Sequence, residues 1–179
     1  MKRFLVLALA VTAMLAAPAS FGQQPYAGFQ SRPIKALSEQ QIADLKAGRG
    51  MGLALAAEVN GYPGPVHVLE LAHALHLSEA QRQQIEQLLA AMKAAAIPLG
   101  ERLIAQEARL DREFSDGSIT PLSLAEAVEE IGATQAALRT AHLKYHLSTA
   151  DVLTPAQVQR YSELRGYAEN APRRHDRHQ

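Results

Sequence analysis

The chain has 179 residues, with 18 basic and 18 acidic side chains, no net charge and no cysteine. That length suits one domain with a moderate core, and the balanced charge gives no global attraction to nucleic acid or to an anionic membrane. The lack of cysteine excludes disulfides, thiol nucleophiles and thiolate metal sites, so stability has to come from packing.

The first segment, "MKRFLVLALAVTAMLAAPAS", carries Lys2 and Arg3, an apolar run from Phe4 to Ala16, and then the small residues Ala17-Pro18-Ala19. This is the pattern of a cleaved secretory signal peptide over residues 1–19. The run is short for a hydrocarbon core of roughly 30 Å, and no cysteine follows to carry a lipid. The expected location is a bacterial periplasm. Residues 20–36 are rich in Gly, Pro and Gln without an apolar period, and read as a flexible lead-in with no structure of their own.

From Ser38 the apolar period becomes helical, with Ile42 and Leu45 before the glycine-rich "GRGMG" at 48–52 and Leu53, Leu55, Ala56 and Val59 after it. This pair of short helices ends at the breakers "NGYPGP". Pro65 suits a first helical position, where its missing N–H costs nothing, and a short helix is expected over Val66–Leu75.

Ser78 opens the first long helix. Its stripe is Ile85, Leu88, Leu89, Met92, Leu99, Leu103, Leu110 and Phe114, and Pro98 inside it predicts a bend or a break near 94–100. "SDGS" at 115–118 is a turn, and Thr120-Pro121 starts the second long helix, with a stripe of Leu124, Val128, Ile131, Leu138, His142 and Tyr145. A last helix starts at Thr154-Pro155 and carries Val158, Tyr161 and Leu164; the residues from 171 onward form a polar tail. No segment has the period of a strand. The expected fold is all-α, a helical domain over 37–170 built around a long hairpin of about 78–114 and 120–151.

One pentapeptide recurs: "LSEQQ" at Leu37, "LSEAQ" at Leu77 and "LTPAQ" at Leu153. In each, the Ser or Thr caps a helix and the Gln three residues on reaches back to the cap's own N–H, forming a capping box. The leading Leu serves as a hydrophobic staple: Leu153 on Val158, Leu37 on Ile42, and Leu77 on Ile85 because Arg82 stands at the usual place. Helix punctuation accounts fully for the motif.

Two such motifs around a helical hairpin, behind a signal peptide and in a cysteine-free chain, also resemble the Spy/CpxP family of periplasmic proteins, whose signature is a pair of LTxxQ motifs. Leu77, Ser78 and Gln81 match the first, with Ser for Thr; Leu153, Thr154 and Gln157 match the second without departure. The resemblance covers Leu77 to about Tyr167. The region 37–65, with its third copy, does not map onto the family. The resemblance implies a four-helix cradle that forms a homodimer through its long helices and holds unfolded or misfolded client proteins without ATP. It also implies relatives that sense or resist heavy metals, and others that regulate a sensor kinase.

The histidines bear on that choice. His142 and His146, four residues apart, share one helical face and can together ligate zinc, copper or nickel; two ligands are not a site, so His73, His76, Glu70 or a second protomer would have to complete it. The plainer reading places His142 in the apolar stripe as a packed residue, with pH sensing as a third. No nucleophile elbow, zincin or P-loop motif is present, so no enzyme is expected. Glu126, Glu129 and Glu130 read as a solvated face near Arg139. Arg102, Arg109 and Arg112 read as a charged face of the first long helix. For client holding, the apolar spread around Met92, Ile97, Leu103 and Ile104 is wider than one stripe needs, and is expected to leave an open patch.

Overall fold

The structure, a computed structural model, describes residues 26–167. The expected signal peptide and the expected polar tail lie outside the described residues. A 3-10 turn at Phe29–Ser31 precedes six helices: α1 Glu39–Lys46, α2 Leu55–Glu58, α3 Pro65–Glu70, α4 Glu79–Ser115, α5 Pro121–Val152 and α6 Pro155–Leu164. Among the described residues there is no strand, and no helix is long and apolar enough to cross a membrane.

Capping sets the starts. Ser38, Ser78 and Thr154 each accept from the backbone N–H of the Gln three residues on, and each donates its own N–H to that Gln's side chain. The same box closes α5 with different chemistry, since Ser123 takes the place of Gln opposite Thr120. Pro121 and Pro155 stand in the first turns, where no N–H is needed. The two long helices are joined by a short turn with Gly117 in the left-handed region at φ 67°, so they pair antiparallel.

The break allowed at Pro98 does not occur, and one helix ends early. α4 runs unbroken through Pro98, which lies on the exposed side, where water can serve the freed carbonyl. α3 stops at Glu70; residues 71–76 continue as turns, and His76 enters the left-handed region at φ 49°, a conformation no helix continues through.

The core has two parts. At the base of the hairpin, Val68, Leu75, Ile85, Leu153 and Tyr161 pack together, with Leu77 and Val158 partly buried against them, as the staple argument requires. Midway along the hairpin, Ala96 and Leu103 of α4 and Ile131 and Leu138 of α5 meet Ile34, Leu37 and Leu45 from the N-terminal region. Ile34 had been read as part of the unstructured lead-in; it is buried because the turn at 34–37 directs it into this cluster.

Residues 34–64 thus form a strap across one face of the hairpin. Glycines mark its closest approaches: a Cβ on Gly100 of α4 would lie 2.5 Å from the Leu45 carbonyl oxygen, and one on Gly64 would lie 2.9 Å from His146 Nε2. No other residue fits at either contact without a shift of backbone or ring.

Candidate functional site

The two family motifs meet at the base. Gln81 Nε2 donates to Gln157 Oε1 at 2.8 Å, and Gln157 Nε2 donates to Gln81 Oε1 at 3.0 Å. The same amides also donate to the Val152 carbonyl at 3.0 Å and the Leu75 carbonyl at 3.3 Å. Each Gln therefore caps its own helix and also holds the other's, locking the start of α4 to the start of α6. A capping box needs only an acceptor three residues on; this lock needs an amide at both places, with donor and acceptor on one side chain. The sequence shows the two boxes but not their pairing, because nothing local says they face each other.

The histidine pair lies beneath the strap. His146 is 8% exposed and its Nδ1 is 2.7 Å from the Tyr62 carbonyl; a carbonyl only accepts, so Nδ1 carries the proton. Its Cε1–Nε2 edge rests on Gly64. His142 is 2% exposed beside Gly50, and its Nε2 is buried without a hydrogen-bond partner. Burial, and secondarily the nearby His146, push the His142 pKa below the usual histidine value. The structure does not bring His73, His76 or Glu70 to this pair: among the described residues no three side chains of metal-ligating type converge. Glu70 instead faces His67 at 2.9 Å, and the rings of His73 and His76 are neighbours, 6.5 Å apart and tilted at 47°.

Beside His146 is a buried polar cluster that sequence reasoning missed. The Glu58 carboxyl accepts from the Tyr161 hydroxyl and from Gly64 N–H at 3.2 Å, with His146 Nδ1 and Arg165 Nε each 3.7 Å away. Burial first, then the Glu58 hydrogen bond, push the Tyr161 phenol far above its ordinary pKa, so it remains a donor. The cluster joins the strap, α5 and α6. Its one signal in the sequence is a lone charge, Glu58, within the apolar run "LALAAEV".

The residues expected to form an open apolar patch are not open. Met92 and Leu103 are buried, and Ile97 and Ile104 are half-buried. Leu103 and Ile104 belong to the cluster that the strap completes, and Ile97 sits under Gly48. The expectation misplaced the patch because it treated the strap region as separate from the hairpin.

What is open lies at both sides of the strap. Between the strap and α5 runs a groove of about 780 Å³, with Leu37, Leu45 and Leu53 on one wall and Leu138 and Arg139 on the other. Asp44 on its rim is paired with Arg49 at 2.6 Å, and that hydrogen bond lowers its carboxyl pKa. Arg139 thus lines a groove rather than facing the α5 carboxylates; Glu130 pairs across the hairpin with Arg109 at 2.7 Å. Toward the tip the stripes emerge into solvent, with Phe114 57% exposed, Val128 52% and Leu124 38%, and Leu122 on another face of α5 is 70% exposed.

A model of the LTXXQ motif family matches residues 67–165, from just past the strap to the end of α6. No curated protein and no solved structure matches the chain.

Proposed function

The chain belongs to the LTXXQ motif family, and from that premise we propose that it is an ATP-independent holding protein of the Spy/CpxP type, exported to the periplasm, where it binds partly unfolded envelope proteins. The observation that carries this reading is the open apolar end of the hairpin. Phe114 and Val128 continue stripes that are buried farther down, so the same faces that make the core also present large side chains to water. Exposed apolar area of this kind marks an interaction surface, and a shallow face without polar anchors suits many sequences rather than one.

The resemblance also implies metal-sensing relatives. His142 and His146 support that reading poorly, since the proton of His146 Nδ1 is committed to Tyr62 and the other edge of the ring is closed by Gly64. Titrating the mature protein with zinc and with copper, beside the His142→Ala/His146→Ala variant, tests it; tight binding that depends on the pair would reverse the order of the two functions.

The test of holding is suppression of the aggregation of reduced lysozyme diluted from denaturant, without nucleotide. A Phe114→Ser/Leu122→Ser/Val128→Ser variant should lose several-fold in potency while its unfolding midpoint stays close to the parent's. Equal potency would remove the tip from the mechanism, and no suppression by either protein would remove holding itself.

A further inference from the structure

The polar and apolar contacts of the strap are unequal along its length. Its C-terminal part is anchored through Glu58, Tyr62 and Gly64 to Tyr161 and His146. Its N-terminal arm, residues 34–53, is held by a two-turn helix, a few apolar side chains and one exposed ion pair, Lys35–Asp111 at 3.1 Å. At the end of the arm, next to the anchored part, is "GRGMG", where Gly48, Met51 and Gly52 all have positive φ (64°, 44° and 81°). That is a natural hinge, and Met51 is strained there even in the closed form.

We propose that this arm is a displaceable occupant of the principal docking face: it covers in cis an apolar surface on α4 and α5 that an amphipathic segment of a non-native protein takes when the arm lifts. The proposal rests on the holding function above and names the larger surface and what closes it. The arm itself shows the chemistry of the partner. It presents Leu37, Ile42 and Leu45 to the hairpin, an apolar pattern of one short helix, while Gln40 and Lys46 stay exposed. The face beneath is Ala96, Leu99, Leu103 and Leu138, with Gly100 flat enough for a backbone to touch.

The fit is also incomplete. The groove of about 780 Å³ remains between arm and α5, so apolar side chains there lack partners that a longer or bulkier segment would supply. The arm also covers His142: a Cβ on Gly50 would lie 3.6 Å from its Nδ1. Lifting the arm leaves the rest in place, because the base cluster and the Gln81–Gln157 lock draw nothing from residues 34–53. The family match begins at residue 67 and includes no residue of the arm.

The experiment uses the mature protein and follows hydrogen exchange of peptides from 34–53 together with suppression of reduced-lysozyme aggregation. Two variants lift the arm from opposite sides: Gly100→Ala, which puts a methyl against the Leu45 carbonyl, and Leu45→Glu, which leaves the hairpin untouched. Both should speed exchange in 34–53 while α6 stays protected, and both should suppress aggregation several-fold more potently than the parent. In the parent, adding reduced lysozyme should itself speed exchange of 34–53, a readout that needs no variant to fold. Faster exchange with unchanged potency in the variants, or protection of 34–53 by lysozyme in the parent, overturns the strap and leaves holding intact. No suppression by any of the three proteins overturns holding, and the strap with it.

Discussion

The lock between the two motifs permits a quantitative test. Gln157→Ala removes the bonds its amide makes to Thr154 N–H (2.9 Å) and to the Thr154 hydroxyl (3.2 Å), to Gln81 in both directions (2.8 and 3.0 Å) and to the Leu75 carbonyl (3.3 Å). At about 1 kcal/mol net for each hydrogen bond, the ceiling is about 5 kcal/mol. The site is only part-buried and water replaces some of these bonds, so a loss of about 2–3 kcal/mol is expected. For a protein of this size that lowers the melting temperature by roughly 5–10 °C. Gln81→Ala should cost a similar amount, since it loses the shared pair, its own cap on Ser78 N–H and its bond to the Val152 carbonyl. The decisive quantity is the double variant. Both single changes remove the same two amide bonds, so their sum counts those twice, and the cycle should show a coupling of about 1–2 kcal/mol. Urea unfolding followed by circular dichroism measures all four proteins. Additivity within about 0.3 kcal/mol would mean that the motifs cap two helices independently and that the contact between them contributes nothing.

Two further outcomes are expected. Tyr161→Phe removes the hydroxyl that donates to the buried Glu58 carboxyl and should cost about 1–3 kcal/mol, the penalty for a buried acceptor losing its donor; a change under about 0.5 kcal/mol by denaturant titration, the range of a neutral surface substitution, would show that water enters the cluster. His142 has a folded pKa below its unfolded value of about 6.5, so the unfolded chain binds the proton first and stability is lost as pH falls from about 6.5 through the folded pKa. His142→Leu should flatten that acid decline in melting temperature, and an unchanged pH profile would place the sensitivity elsewhere.

The helices, their starts and the hairpin were readable because each rests on local chemistry: a cap residue, a proline at the first turn, an apolar period of 3.6. What could not be read was how distant stretches face each other. Gln81 and Gln157 each have a complete local role, so nothing in either box signals the other. Ile34 stands alone among polar and breaker residues, and only the fold shows that it reaches a core. Around Leu103 and Ile104 the helix is more apolar than a single stripe requires, but the surplus is matched by Leu37 and Leu45, some 60 residues earlier in the chain, rather than by a client. Pattern reports that a surface needs a cover and is silent on who supplies it.

The placement of the two histidines follows the same logic. Along α5, Leu124, Val128, Ile131, Leu138, His142 and His146 recur at spacings that keep them on one stripe. Toward the tip the stripe is aliphatic and open; beneath the strap it is closed, aliphatic at Ile131 and Leu138 and imidazole at His142 and His146. Leucine at 142 would bury more apolar surface in the closed form, yet would lengthen the aliphatic face bared when the arm lifts, a face prone to aggregation. Histidine suits both places, since His146 donates to the Tyr62 carbonyl under the anchored part of the strap and the His142 ring, beside Gly50 of the arm, can bond water when the arm lifts.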